Sequence, residues 1–242
     1  MRVAVLSDIH SNLQALEAVL ASIGSVDAIW QLGDIVGYGP DPGAVVQRLR
    51  EVGAIGVRGN HDAAAVGDLS VEDFNADARV AVEWTRAHLN EETRAYLAAL
   101  PEVIVPDGFD FTLAHGSPRD PIWEYLIDTR AARENLSAFA TTYCLVGHTH
   151  VPLVLRQRRI HMEDLAVHAE SRLRLDERRA ILNPGSVGQP RDGDPDASYM
   201  IVDPAAGLAT WQRVRYDIAA TQAAMREAGL PPRLAMRLSL GL

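Results

Sequence analysis

Apolar residues first arrive as a short unbroken run, Val3-Ala4-Val5-Leu6, and then as Leu13, Leu16, Val19 and Leu20 at helical spacing. An unbroken β-rich run fits a strand buried on both faces, so residues 3–23 read as strand, loop and helix, the helix spanning 12–23. The pairing repeats with a run over 28–32, a turn-rich Gly37-Tyr38-Gly39-Pro40-Asp41-Pro42-Gly43, a helix over 44–52 and a run over 54–57. Strands alternating with helices predict parallel strands covered by helices. Ser70, followed by acidic residues, reads as the N-cap of a helix through Val80, Val82 and Trp84, and a second helix covers 93–100. Runs over 109–114 and 142–146 predict further strands. Beyond Val151 long helical patterns stop, and 153–156, 160–168, 180–183, 197–202 and 209–215 read as strands, predicting a second, mostly antiparallel sheet from the C-terminal half. Helical spacing returns over 217–227 and 233–240, split by Gly229 and Pro231-Pro232, as a tail that either caps this second sheet or forms a dimer contact. With no internal repeat or long linker, residues 1–242 read as a single domain.

Composition narrows the function. At 48% hydrophobic and 23% charged, the 242 residues have the balance of a protein with a full core. The 23 basic residues are all Arg, and against 32 acidic ones they leave a net charge of −9. Such a surface repels long nucleic acid and anionic membrane, and the pairs Arg158-Arg159 and Arg178-Arg179 are too short to form a binding track. No stretch approaches the roughly 20 apolar residues of a membrane helix, and the N-terminal run is too short for a signal-peptide core, so the expected location is the cytoplasm. Cys144, alone in an apolar run, reads as a buried thiol rather than a nucleophile.

The chemistry gathers where the predicted strands end. Asp8 and His10 follow the first, Asp34 the second, Asn60 and His61 the third, His115 and then His148 with His150 the later ones. In open α/β sheets ligands bind beyond the carboxyl ends of strands. Each residue alone has an ordinary reading as a turn residue, a cap or a satisfied core group. Together they take five of the eight histidines, all but His10 within three residues of a glycine that admits close backbone approach. Mixed imidazole, carboxylate and amide oxygen suits borderline divalent ions such as Mn, Fe, Ni, Co or Zn. Seven ligands, Asp8, His10, Asp34, Asn60, His115, His148 and His150, exceed one open ion and suit two sharing a carboxylate, the arrangement that clamps both oxygens of a phosphoryl transfer.

The ordered motifs Asp8-Ile9-His10, Gly33-Asp34, Gly59-Asn60-His61-Asp62, His115-Gly116 and Gly147-His148-Thr149-His150 resemble those of the calcineurin-like metallophosphoesterases over roughly residues 1–192. The resemblance implies an α/β four-layer α-β-β-α sandwich of two mixed sheets, with a dinuclear site at the strand ends and manganese as the first choice of ion. It places one ion on Asp8, His10, Asp34 and His150, and a second on Asp34, Asn60, His115 and His148. A hydroxide bridging the pair would attack phosphorus in line with the leaving oxygen. His61 matches the family's proton-donating histidine, with Asp62 orienting it.

The same resemblance bears on the substrate. Protein phosphatases of the superfamily carry an Arg soon after the bridging Asp, whereas this chain runs Asp34-Ile35-Val36-Gly37-Tyr38-Gly39. It is similar instead to the compact bacterial and archaeal phosphodiesterases, which share the Gly-Tyr-Gly-Pro turn and the late Asn183-Pro184-Gly185-Ser186-Val187-Gly188 segment. A small phosphodiester is therefore the expected partner, and a phosphomonoester or nucleoside polyphosphate the alternative; a silent binding scaffold is disfavoured by the intact ligand set. Candidate substrate contacts are Asn12, whose rival role is helix N-cap; Tyr38, whose rival role is a turn residue; and Arg191, whose rival role is a surface salt bridge. The segment after His115, with Trp123 and Tyr125, is long enough to overhang the site and stack on an aromatic group.

Overall fold

Five strands deliver the motif loops to one end of the computed structural model, which describes residues 1–242. The chain opens with β1 (Val3–Leu6), α1 (Leu13–Ser22), β2 (Ala28–Gln31), α2 (Pro42–Glu51) and β3 (Ile55–Gly56). Three helices follow, α3 (Asn60–Val66), α4 (Ala76–His88) and α5 (Glu91–Ala99), then β4 (Val103–Ile104), β5 (Phe111–Ala114), α6 (Thr129–Asn135) and β6 (Tyr143–Leu145). The rest is β7 (Leu153–Arg158), β8 (His161–Leu165), β9 (Arg172–Arg174), β10 (Ala180–Asn183), β11 (Ala197–Asp203) and β12 (Leu208–Val214), ending in α7 (Ile218–Glu227) and α8 (Pro232–Leu238).

The strands form two six-stranded mixed sheets, ordered β3-β2-β1-β11-β12-β9 and β4-β5-β6-β10-β7-β8. β1, β2 and β3 run parallel in the first, and β5, β6 and β10 run parallel in the second. Alternation within the strands explains the layering. Val3, Val5, Trp30 and Leu32 of one sheet meet Phe111, Leu113, Leu145 and Leu182 of the other in the central core. The opposite faces carry Ala4 and Leu6 against Leu16, Val19, Val45 and Leu49 of α1 and α2, and Cys144 and Ile181 beside Ala132 of α6. Unbroken apolar runs are the signature of strands covered on both faces. Helices, two sheets and helices therefore make the expected four layers. The Cys144 thiol is buried and burial raises its pKa, which matches the inert reading.

Four expectations are corrected. The C-terminal strands make no sheet of their own: β11, β12 and β9 extend the first sheet, while β10, β7 and β8 extend the second. Period-2 patterning reports a half-buried strand but carries no record of its partner. Ser70 is no helix cap. α4 begins at Ala76, where the Asn75 side chain accepts from Ala78 N at 3.0 Å, and Asp77 adds a charge favourable in the first turn. Residues 60–66, assigned to no element by the sequence pattern, form α3, so the Asn-His-Asp motif is its first helical turn. Finally, the tail caps neither face of the second sheet. α7 packs on α1, where the Thr221 hydroxyl donates to the Asn12 side chain, and α8 packs Leu234 and Leu238 into a cluster with Tyr38, Phe74 and Ala78.

Candidate metal centre

At the ends of the parallel strands the backbone leaves its ordinary range. Asp8, His10, Ser11, Asp34, Tyr38, His148 and His150 all adopt positive φ, between 49° and 64°. For residues with a Cβ such conformations cost about 1–3 kcal/mol each and persist only where the surroundings dictate them. Two glycines show how close that packing is. A Cβ on Gly59 would lie 2.1 Å from Asp34 Oδ1, and one on Gly147 would lie 2.8 Å from Asp8 Oδ2. Each motif can thus press its backbone against another motif's carboxylate. The His148 amide donates to Asp8, and the His61 amide to Asp34 at 2.9 Å.

The side chains converge in two groups sharing Asp34. Asp8, His10, Asp34 and His150 bring one donor atom each within 4.8 Å of one another, as do Asp34, His115 and His148. Asp34 Oδ2 lies 3.6 Å from His10 Nε2 and 3.3 Å from His115 Nε2. Asn60 Oδ1 completes the second group at 3.2 Å from His115 Nε2. All seven residues are buried, none more than 3% exposed.

The ring orientations settle what such a cluster lacks. Nδ1 of His10, His115 and His150 lies 3.1, 2.8 and 2.6 Å from the carbonyls of Val36, Leu32 and Gln189. A carbonyl only accepts, so each Nδ1 is the protonated nitrogen, and in a neutral ring Nε2 presents a lone pair inward. The Nε2 atoms of His10 and His150 then face each other at 3.0 Å, and His115 Nε2 faces His148 Nδ1 at 3.1 Å. Around His10 and His150, lone pairs and carboxylate oxygens converge with no ring donor to separate them. A cation resolves that conflict, and the mixed donor set suits a borderline divalent ion. The ionisation states agree. Burial holds His10 and His150 well below the usual histidine value and His148 at about 3. Burial pushes Asp8 up to about 7. Burial opposes ionisation of Asp34 too, but His115 and the neighbouring His61 and His10 outweigh it and hold its carboxyl low. His115 is the exception: despite burial, Asp34 and Asp8 raise it to about 9, so a proton there does part of a cation's work.

The remaining candidates separate. His61 lines the metal pocket, its ring packed on Tyr38 at 4.4 Å, on His10 at 4.9 Å and on Phe74 at 4.9 Å, with its pKa lowered by burial to about 4. Asp62 does not orient that ring. Its carboxylate accepts from the amides of Val36 and Gly59, both at 3.0 Å, closing the start of α3, and His61 Nδ1 has no hydrogen-bond partner. Asn12 takes the cap role: it accepts from Ala15 N at 3.1 Å and donates to Gly188 O at 2.9 Å. Tyr38 and Arg191 both line the pocket. Arg191 is not in a salt bridge; it meets the Tyr38 hydroxyl at 3.4 Å and Gln189 Oε1 at 2.9 Å, while its Nε is buried and unpartnered. The overhanging segment is present as expected, with Tyr125 stacked on His148 at 3.9 Å and Trp123 beside Phe74 at 5.2 Å. Asp73, Phe74 and Asn75 also line the pocket and escape the sequence reading. A helix begun at Ser70 hides them inside its first turns; the Asn75-Ala76-Asp77 cap signal was the available clue.

Two facing mixed sheets with a buried imidazole-carboxylate cluster at their converging strand ends define a metallophosphoesterase. The family model for the calcineurin-like phosphoesterase superfamily domain matches residues 1–207, and the chain belongs to that superfamily. A metallophosphoesterase from Sphaerobacter thermophilus, solved by crystallography, is 50% identical and superposes with a TM-score of 0.92 over 100% of this chain and 99% of its own. An uncharacterised protein of Methanocaldococcus jannaschii is 38% identical over 99% of this chain and 98% of its own. The phosphodiesterase YfcE of Escherichia coli is 30% identical over 84% of this chain and 88% of its own. Membership makes the chain a phosphoester hydrolase with divalent-metal binding residues. No helix is long and apolar enough to cross a membrane.

Proposed function

We propose that the protein is a phosphodiesterase acting on a small phosphorylated substrate with two divalent transition-metal ions, manganese being the first choice. The observation that carries the reading is the pair of buried ligand groups sharing Asp34. Asp8, His10 and His150 would hold one ion and Asn60, His115 and His148 the other, with Asp34 between them. When bound, such ions supply Lewis acidity toward phosphoryl oxygens and lower the pKa of water at the site.

The chain's own groups do the rest. The Nδ1 bonds to Val36, Leu32 and Gln189 hold three rings with Nε2 inward. His61, on the pocket wall and off the ligand set, stands where it can hold a proton for the leaving oxygen. Arg191 presents a guanidinium to the same pocket for a non-bridging oxygen, braced by Tyr38. Trp123 and Tyr125 wall the pocket with aromatic surface that suits an ester's organic group. Similarity to the phosphodiesterase YfcE supports the diester over the monoester.

The deciding experiment strips the protein with chelator, restores Mn²⁺ and compares hydrolysis of bis(p-nitrophenyl) phosphate with that of p-nitrophenyl phosphate. A Mn²⁺-dependent preference for the diester is expected. Preference for the monoester, or turnover without metal, overturns the reading.

A further inference from the structure

A second cavity, about 520 Å³ in volume, adjoins the metal pocket, and Asn75 lines both. Its other walls include Asp77 of α4 and Arg233, Met236, Arg237, Leu240 and Leu242 of the C-terminal segment. Residue spacing explains this lining. Leu234 and Leu238 recur four apart and bury themselves against the Tyr38, Phe74 and Ala78 cluster. That contact turns Arg233 and Arg237, also four apart, onto the adjoining face, where they sit side by side.

The two guanidiniums of the chamber keep donors that Asp77 and Leu242 do not take up. Arg233 meets Asp77 only at 3.9 Å, and its side chain is 85% exposed. Arg237 is half-buried, and its one side-chain hydrogen bond runs from Nε to the main-chain oxygen of Leu242, the last residue, which leaves both terminal nitrogens free. Burial, Arg191 and Arg233 all disfavour its charge. Arg191, Arg237 and Arg233 thus lead from the metal pocket into the outer chamber on a protein of net charge −9. Guanidiniums whose terminal N–H groups have no partner are suited to meet a multivalent anion. The apolar walls of Met236 and Leu240, and a volume in the range of small-molecule pockets, leave room for the sugar and base that would carry it.

We propose that the outer chamber is a second phosphate subsite, and that the substrate is a phosphodiester of a nucleoside or sugar bearing a further phosphate away from the scissile bond. This rests on the phosphodiesterase reading above. The terminal nitrogens of Arg237 and Arg233 grip the second phosphate while the scissile one lies among the metal ligands and Arg191.

The test uses the p-nitrophenyl ester of thymidine 5′-phosphate with and without a 3′-phosphate, on the Mn²⁺-loaded protein and on the R233Q/R237Q variant. The 3′-phosphate is expected to lower KM by about tenfold to a hundredfold in the parent, a charge-assisted contact's worth, and that advantage disappears in the variant while hydrolysis of the plain ester is unchanged. No advantage in the parent, or one that survives both substitutions, overturns the proposal. Titration of the chelator-treated proteins with thymidine 3′,5′-bisphosphate separates this from the catalytic reading. If neither ester is hydrolysed, the phosphodiesterase reading falls, and the subsite stands only if the variant binds the bisphosphate at least tenfold more weakly. Equal binding overturns it. Arg233 is exposed and Arg237 half-buried, and thermal melting of the variant checks that the fold is unchanged.

Discussion

Three buried carboxylates at one end of the molecule do three different jobs, and neighbours decide which. Asp34 stands between His10 and His115 and is common to both candidate ligand groups; Asp8 is bonded by the Ser7 hydroxyl at 2.6 Å and the His148 amide; Asp62 closes a helix start. All three follow short apolar runs or motif glycines in the sequence, so type and position alone do not separate them. His61 and the ligand histidines divide in the same way: the ligands have a nitrogen aimed at a carboxylate or another ring, whereas His61 is packed among aromatic rings. Asp34→Asn is therefore expected to remove most bound metal, read as metal content per chain after dialysis against Mn²⁺. His61→Ala is expected to keep that content and lower kcat by about 10²- to 10⁴-fold, the range of a general acid. Loss of metal from His61→Ala would make it a ligand instead.

At the scale of elements, the loops after β1, β2, β3, β5 and β6 are the working parts, and the helices set where those loops end. α4 is the instructive case. Its true start at Asn75 leaves Phe74 outside the helix, with its ring against His61. The Asn75 side chain satisfies one of the helix's free N-terminal donors, Ala78 N, so Asn75→Ala is expected to lower stability by about 1 kcal/mol, measured as a shift in urea midpoint at unchanged slope. The same change removes a side chain from the wall between the two cavities. α1 and α2, by contrast, were legible from periodicity, because each buries one regular stripe against a single sheet. α3 was hidden because its seven residues are too few for a periodic signal. α6 is equally short.

For the whole molecule, the ion-free site is a charge problem that pH modulates. His115 has its pKa raised to about 9, and Asp8 and Asp62, chiefly through burial, are raised to about 7. A group held above its unfolded value binds a proton more tightly when folded. Its contribution is full below the unfolded value, about 6.5 for His115 and 3.8 for the aspartates, and is lost as pH rises through the folded value. Burial depresses His61 to about 4 and His148 to about 3, and their contribution is instead lost as pH falls below about 6.5 toward those values. The ion-free protein is therefore expected to lose thermal stability between pH 6.5 and 9, where only the raised groups titrate. Mn²⁺ should replace the missing protons, so the rise in Tm on adding it is expected to be larger at pH 9 than at pH 6. An equal rise at both would show that these protons do not stand in for the ion.

The alternation of strands and helices, the candidate ligand residues and the family were all legible in the order of residues, because ligand chemistry needs particular residue types and strand ends place them at readable intervals. The remainder depends on contacts made when the chain folds. Sheet partners of β7 to β12 depend on backbone pairing, which side-chain pattern does not encode. The roles of Asp62, Asn12 and Arg191 depend on contacts across the chain: Asp62 reaches Val36, Asn12 reaches Gly188 and Thr221, and Arg191 reaches Tyr38. The tail became a wall of the cleft because Leu234 and Leu238 found their burial beside Tyr38 and Phe74. An amphipathic helix announces that it needs an apolar partner, and the folded chain alone says which one it meets.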